Sequence, residues 1–182
     1  MQTEIIISGF GGQGVLFAGQ LLAYAGMGEG KQVTWIPSYG PEMRGGTANC
    51  TVIISDEEIG SPFVRNPTAV VAMNLPSLLK YEKVVKPGGI LVVNASIINQ
   101  IPTRSDIRIV SIPGNEISEK IGDRRMTNMV LIGGLIANLP VLPLESLEKA
   151  LAEHLPARHQ RLLPFNYQAL RQGATFIAEK IP

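Results

Sequence analysis

The sequence contains very little cysteine and histidine. Cys50 is its one cysteine, and the two histidines, His154 and His159, do not stand at a metal-ligand spacing. A single thiol excludes an internal disulfide, a Cys-x-x-Cys redox pair and a four-thiolate iron–sulfur site within this chain. Because Cys50 stands in the middle of a predicted strand with no histidine near it in sequence, we expect a small buried side chain. The chain is therefore expected to have no catalytic residue and no metal ligand of its own.

Strong charge of one sign and long apolar runs are also missing. The 16 basic and 15 acidic residues nearly cancel, so charge gives no reason to expect binding to nucleic acid or to an anionic membrane. Charged residues make up only 17% of the chain, below the roughly 25% usual for soluble domains, which suggests that other subunits bury part of the surface. The most apolar stretch, 129–139, is far shorter than the ~20 residues of a membrane span. The first residues lack a signal-peptide pattern, and we expect a cytoplasmic protein.

The pattern of apolar runs predicts an α/β fold of three layers, α/β/α, with a mixed, mostly parallel sheet and a C-terminal helical segment. The length of 182 residues suits one domain, with a core over about residues 1–140 and helices over about 141–182. The segment 38–46 has too many glycines and prolines for a crossover helix, so the strand after it is expected to be antiparallel to its neighbours. The predicted strands are Glu4–Ser8, Lys31–Ile36, Ala48–Ser55, Ala69–Met73, Ile90–Asn94 and Ile107–Ile112.

Several shorter features complete this prediction. A turn at 56–57 predicts a short return segment around Ile59. The stretch 126–138 is expected to be helical despite Gly133 and Gly134, whose cost of roughly 1 kcal/mol each suggests close backbone packing. Prolines divide the region beyond 140, and Asn166 is expected to cap its last helix. The predicted helices are 12–27, 76–85, 126–138, one that begins after Pro143 and one that begins after Asn166.

The first motif with chemical potential is the glycine-rich segment between the first strand and the first helix. It comprises Gly9, Phe10, Gly11, Gly12, Gln13 and Gly14. Missing side chains at such a turn let main-chain N–H groups and the helix N-terminus approach an anion. A tight turn that packs strand against helix has the same composition, and residue types alone favour neither. The nicotinamide fingerprint also needs an acidic residue at the end of the second strand, where this chain has Thr34, Trp35 and Ile36.

The second motif is a loop that combines a phenol, a carboxylate and a cation with glycines and a proline. It comprises Tyr39, Gly40, Pro41, Glu42, Met43, Arg44, Gly45 and Gly46. A guanidinium in such a loop can bind a phosphate or a carboxylate with paired hydrogen bonds. Two alternatives remain open: a solvated loop in which Arg44 pairs with Glu42 for little energy, and a subunit interface, for which Tyr and Arg are favoured.

In this order and spacing, the two motifs resemble the gamma subunits of 2-oxoacid:ferredoxin oxidoreductases. The resemblance continues through Asn94-Ala95-Ser96 and through the segment 122–130, and it covers most of the chain up to about residue 140. The second loop is more similar to that of 2-oxoglutarate and branched-chain members than to that of pyruvate members. The family resemblance implies the site residues Gly9, Gly11, Gly12, Gln13, Gly14, Tyr39, Glu42, Arg44, Gly45, Gly46, Asn94 and Asn128, which would help to form the coenzyme A side of an active site.

The resemblance also implies a division of labour. Such an enzyme decarboxylates a 2-oxoacid on thiamine diphosphate, passes electrons through iron–sulfur clusters to ferredoxin, and releases an acyl-CoA. Alpha and beta subunits would bind thiamine diphosphate and a ferredoxin-like delta subunit would carry clusters, while this chain would contact coenzyme A and hold no cofactor tightly. Two other hypotheses remain: a free-standing NAD(P)-binding protein, supported by the glycine spacing, and a scaffold subunit whose loops touch only other subunits.

Overall fold

The computed structural model describes residues 1–39 and 46–177, without the side chain of Tyr39. Within these residues one sheet has the strand order β2-β3-β1-β4-β5-β6. β2, β3 and β1 are antiparallel neighbours, whereas β1, β4, β5 and β6 are parallel. The predicted mixed sheet is therefore confirmed. The strands are β1 (Gln2–Phe10), β2 (Gln32–Tyr39), β3 (Thr47–Ser55), β4 (Ala69–Ala72), β5 (Ile90–Asn94) and β6 (Arg108–Ile112).

The helices of the described residues are α1 (Val15–Gly28), α2 (Leu75–Tyr81), α3 (Gly114–Ile121), α4 (Thr127–Asn138), α5 (Leu144–His154) and α6 (Leu163–Gly173). Short 3-10 turns cover Glu82–Val84, Arg124–Met126 and Ala157–Leu162. No helix in the described part of the chain is both long and apolar enough to cross a membrane.

Three local predictions need correction. The chain around Ile59 forms no strand, because it belongs to the irregular connection that leads from β3 past β1 to β4. The helix α3 was not predicted, although Ile117 and Ile121 are one turn apart on its buried side. Asn166 lies inside α6, where its side-chain amide donates to the main-chain oxygen of Leu162 at 2.8 Å, so it does not cap the helix.

The two faces of the sheet are covered unequally. Side chains alternate along β1, so Ile5 and Ile7 enter one core while Ile6 enters the other. The larger core lies under α1 and α4, with α5 packed on α1 and α6 packed on α4. The smaller core is covered by α2 and the turn that follows it. The predicted three-layer arrangement is confirmed, and one of its outer layers is much thinner than the other.

Two glycines bring α4 and α6 into backbone contact. A Cβ atom at Gly133 would lie 2.0 Å from the main-chain oxygen of Leu170, and one at Gly173 would lie 1.8 Å from that of Val130. The two helices could not approach each other so closely with any larger residue at these positions. The close packing predicted for Gly133 is therefore present, and it fixes α4, whose N-terminus borders the site described next.

Candidate functional site

The first glycine-rich loop joins the end of β1 to the start of α1. Gly12 and Gly14 have φ angles of 94° and 74°, a left-handed conformation that glycine adopts without steric cost. Gly14 precedes α1 and provides no side-chain acceptor for its first turn. The N–H groups of that turn have no intrahelical partner, and this arrangement suits an anion.

Gln13 braces the loop from inside. Its Oε1 accepts from the main-chain N–H of Phe10 at 2.6 Å and from Asn74 Nδ2 at 3.5 Å, and its Nε2 donates to the main-chain oxygen of Met73 at 3.4 Å. A Cβ atom at Gly9 would lie only 2.6 Å from Gln13 Oε1. The carboxamide thus fills the space beside Gly9 and ties the carboxyl end of β1 to that of β4.

Asn128 braces the same loop from α4. Its Nδ2 donates to the main-chain oxygen of Gly14 at 3.2 Å, and its Oδ1 accepts from the N–H of Met129 at 2.9 Å. The side chain is buried, and a Cβ atom at Gly14 would lie 2.3 Å from Asn128 Nδ2. Gly14 is therefore required both by its backbone conformation and by this contact.

Asn94 has a comparable position at the end of β5. Its Oδ1 accepts from the N–H groups of Gly114 at 3.3 Å and Ser96 at 3.4 Å, and its Nδ2 donates to Asn115 Oδ1 at 3.1 Å. The side chain is fully buried. It fixes the start of α3, and through Asn115 it supports the wall of a cavity beside the glycine loop.

The second loop begins and ends beside the first one. Thr47 pairs with Phe10 in the ladder between β3 and β1, and the main-chain oxygen of Gly46 accepts from the N–H of Gly11 at 2.9 Å. Tyr39 ends β2 opposite Ala48. The predicted site residues Glu42, Arg44 and Gly45, and the side chain of Tyr39, lie outside the described residues. Residues 39 and 46, which flank that segment, lie at the same end of the sheet as the glycine loop.

Two cavities flank the glycine loop. The larger one, of about 380 Å³, is lined by Gly12, Gln13, Met73, Asn115, Arg124, Arg125 and Thr127. The other one, of about 300 Å³, is lined by Phe10, Gly11, Gly12, Gly14, Val15, Leu16, Phe17, Gly46, Thr47 and Ala48. Both volumes fall near the lower end of the range for small-molecule sites. The loop main chain is therefore accessible from both sides.

Two arginines beside the glycine loop, Arg124 and Arg125, are not in the set of site residues inferred from the sequence. They belong to the turn before α4, and both line the larger cavity. Arg124 pairs with Glu119, and Arg125 Nη2 lies 2.6 Å from Asp123 Oδ2. The hydrogen bond from Arg125 holds the pKa of Asp123 below its usual range. A guanidinium has five N–H donors, so both arginines keep donors for a ligand. Two adjacent arginines before a helix are the sequence signal for them.

The described residues offer little chemistry of their own. They contain no cluster of three or more His, Cys, Asp or Glu side chains that could hold a metal ion. Cys50 is fully buried, and its Sγ lies 3.5 Å from the main-chain oxygen of Val15. Burial raises the pKa of this thiol to about 12, so it stays protonated at neutral pH, and only the thiolate is a good nucleophile. The expected small buried role of Cys50 is confirmed. What the site presents is main-chain N–H groups, carboxamides and guanidinium groups.

Sequence comparison identifies the class to which this fold and site belong. Residues 4–176 match the model of the family described as pyruvate ferredoxin/flavodoxin oxidoreductase. The chain therefore belongs to the pyruvate ferredoxin/flavodoxin oxidoreductase family.

Comparison with individual relatives identifies the chain as one of the gamma-type subunits of this family. The chain is 37% identical to the 2-oxoglutarate synthase subunit KorC of Methanothermobacter marburgensis, with 98% of each chain covered. It is 38% identical to the ketoisovalerate oxidoreductase subunit VorA of Methanothermobacter thermautotrophicus over 99% of its own length, but it spans only 37% of that relative.

Solved structures also include a gamma subunit that matches this chain over most of its length. The gamma subunit of a keto/oxoacid ferredoxin oxidoreductase from Geobacter sulfurreducens superposes with a TM-score of 0.85 at 29% identity, with 96% and 95% of the two chains covered. A 2-oxoglutarate:ferredoxin oxidoreductase from Magnetococcus marinus, described with 2-oxoglutarate, coenzyme A and succinyl-CoA bound, shares the fold at 22% identity and a TM-score of 0.85. That match covers 96% of this chain and 30% of the Magnetococcus chain.

Proposed function

We propose that this chain is the gamma subunit of a cytoplasmic 2-oxoacid:ferredoxin oxidoreductase and that its two loops form the coenzyme A side of the active site. The observation that supports this most directly is the hydrogen bond from Gly11 N–H to the oxygen of Gly46. It joins the glycine loop to the end of the Arg44 loop at one edge of the sheet. An anion at the N-terminus of α1 would lie beside the glycine loop and close to Gly46.

The chemistry of coenzyme A suits what the site presents. Its phosphates need hydrogen-bond donors that keep their charge, which main-chain N–H groups and guanidinium groups provide. The proposed substrate is 2-oxoglutarate, in agreement with the name of the KorC relative. With one cysteine in the chain, iron–sulfur clusters and thiamine diphosphate are assigned to alpha, beta and ferredoxin-like partner subunits. Within that assembly, this chain would act as one domain.

Replacement of Arg44 tests the proposal in the assembled enzyme. We expect Arg44→Ala to raise the Michaelis constant for coenzyme A about tenfold, because a hydrogen bond to a charged group contributes about 1.5–3 kcal/mol. The matched control is Arg158→Ala, which removes an exposed guanidinium whose neighbour is His159. We expect the Michaelis constant for coenzyme A to rise in Arg44→Ala and to stay unchanged in Arg158→Ala. Unchanged coenzyme A kinetics in an intact complex would contradict the role of Arg44.

The strand order argues against the dinucleotide alternative. In a dinucleotide-binding fold the second strand is parallel to the first and adjacent to it, and its end carries the acidic residue for the ribose. Here β3 lies between β1 and β2 and is antiparallel to both. Isothermal titration of the chain with NADH, NADPH and FAD distinguishes this alternative. Hydrogen exchange of the complex with and without coenzyme A distinguishes a scaffold role, which predicts no protection of residues 9–14.

A further inference from the structure

The thin layer of the fold exposes several large apolar side chains. Leu75 and Leu79 are one turn apart on α2, and Leu79 is 53% exposed. Ile101, in the connection between β5 and β6, is 82% exposed, and Phe63, in the connection between β3 and β4, is 87% exposed. We call the surface formed by residues 61–67, 75–86 and 96–104 the α2 surface. Exposed apolar side chains on neighbouring segments are typical of sites of protein interaction.

Hydrogen bonds hold the three segments of the α2 surface together. Arg104 Nη1 donates to the main-chain oxygens of Glu82 at 3.2 Å and Val85 at 2.5 Å, and its own main-chain N–H donates to Glu82 Oε1 at 3.1 Å. On the other side, Asn66 Nδ2 donates to the main-chain oxygen of Val84 at 3.2 Å. The two irregular segments are therefore attached to the turn after α2. A surface ordered in advance loses less conformational entropy when it binds.

The charge of this surface has one sign. The segments 61–67, 75–86 and 96–104 contain five basic residues, Arg65, Lys80, Lys83, Lys86 and Arg104, and one acidic residue, Glu82. Glu82 is buried and accepts hydrogen bonds from the 96–104 segment. Arg104 pairs with Asp106, whereas the other four basic residues form no ion pair within the described part of the chain. Cations without an ion-pair partner around exposed apolar side chains are complementary to an acidic rim around an apolar depression.

We infer that the α2 surface docks onto a partner polypeptide of the multi-subunit enzyme that presents acidic side chains around an apolar depression. This inference rests on the proposed assembly, and it concerns a different surface from the coenzyme A loops. In the VorA relative, which this chain spans to only 37%, the matching region is joined to further polypeptide. A second copy of the chain would place basic residues against basic residues. A lipid surface would be reached by the short helix α2, of seven residues, and by irregular segments, which offer no long amphipathic helix for anchoring at a membrane interface.

Zero-length cross-linking of the native complex tests the partner's chemistry. A carbodiimide joins lysine amines directly to carboxylates, so we expect links from Lys80, Lys83 or Lys86 to aspartates or glutamates of a partner chain. Hydrogen exchange is expected to show slower exchange of residues 75–86 and 96–104 in the complex than in the free chain. Links that join these lysines to another copy of this chain, or no protection of these segments, would overturn the inference.

Substitutions on the two faces provide the matched comparison. The variant Leu79→Glu/Ile101→Glu changes exposed side chains, and we expect it to recover about tenfold less partner at unchanged thermal stability, as for a hot-spot contact. The control is Met27→Glu, at an exposed apolar position at the end of α1, which is expected to recover partner normally. Equal recovery of the partner with both variants would overturn the inference. It would also be overturned if the free chain co-sediments with phosphatidylglycerol vesicles and Leu79→Glu/Ile101→Glu abolishes that co-sedimentation. The coenzyme A Michaelis constant of Arg44→Ala, measured in the wild-type assembly, reports separately on the proposed function.

Discussion

Gly14 is constrained both by its left-handed backbone and by its contact with Asn128, and replacement by alanine perturbs both. Alanine in the left-handed region costs about 1–2 kcal/mol relative to glycine. Its Cβ would lie 2.3 Å from Asn128 Nδ2, so the carboxamide would have to turn away. That movement breaks the hydrogen bond to the Gly14 oxygen, at a further cost of about 1 kcal/mol. We expect Gly14→Ala to lower the free energy of unfolding by about 2–3 kcal/mol, which corresponds to roughly 4–12 °C in the melting temperature of a chain of this size.

A double-mutant cycle with Asn128→Ala separates the two contributions. Truncation of Asn128 to alanine removes its Nδ2 and Cγ, the two atoms that lie closest to a Cβ at position 14. That Cβ would then contact only the Asn128 Cβ, at the ordinary contact distance of 3.5 Å. The double variant should therefore be about 1–2 kcal/mol more stable than the sum of the single changes predicts, because the hydrogen bond to the Gly14 oxygen is lost in each single variant but only once in the double variant, which also has no steric conflict. The backbone strain caused by Gly14→Ala remains in both backgrounds.

Urea denaturation followed by tryptophan fluorescence measures all four proteins. Trp35 is the single tryptophan, and it packs against the larger core, so its emission reports on loss of that core. Strict additivity of the two substitutions would refute the contact between Asn128 and Gly14. A Gly14→Ala protein as stable as the wild type would refute the left-handed conformation as well.

Three further predictions concern other parts of the fold. Gly173→Ala should lower the urea midpoint by the equivalent of about 2–4 kcal/mol, because its Cβ would lie 1.8 Å from a main-chain oxygen of α4. Gly28→Ala, with open space around its Cβ, should change stability by less than about 1 kcal/mol, and equal effects would contradict the helix contact. Cys50 should resist Ellman's reagent at about pH 8 until the chain unfolds, because burial raises its pKa to about 12; rapid labelling of the native chain would contradict this. The pKa of Asp56 is lowered to about 2, chiefly by the hydrogen bond from Lys31. A folded pKa below the unfolded one stabilises the protein above about pH 4, and that stabilisation is lost as the pH falls toward about 2. Asp56→Asn should therefore be less stable than the wild type near pH 6, and the difference in stability should shrink toward about pH 2. A difference that does not change with pH would contradict the ion pair between Asp56 and Lys31.

The elements that the sequence predicts well are those whose pattern is local. β5 is predicted with its bounds, Ile90–Asn94, because a buried parallel strand is a continuous apolar run between breakers. The antiparallel β3 follows from the breakers in the loop before it. The helix α3 was missed because it has only eight residues, although Pro113 before it and the left-handed Gly122 after it are recognisable boundaries. Asn166 was misassigned because a good capping residue does not cap when the helix begins three residues earlier.

The candidate site is predicted less completely, because its construction depends on contacts between distant residues. The glycine loop is visible as a motif, but the sequence does not show that Gln13 reaches Met73 or that Asn128 reaches Gly14. Arg124 and Arg125 line the cavity from the turn between α3 and α4, and the sequence does not show which way that turn faces. A local pattern identifies residue types that suit an anion, whereas which of them face a cavity is decided by tertiary packing.

The way the loop is supported has a consequence for its behaviour with pH. Gln13, Asn94 and Asn128 are neutral carboxamides, so their hydrogen bonds to the loop and its surroundings do not change with protonation. The pair Asp123–Arg125, beside the cavity, also keeps its charges over the neutral range, since hydrogen bonding lowers the pKa of Asp123 and raises that of Arg125. Neither side chain therefore titrates near neutral pH. It follows that a change in coenzyme A saturation near neutral pH would have to arise from the ligand or from groups outside this set, and the shape of the glycine loop would be the same on both sides of that transition.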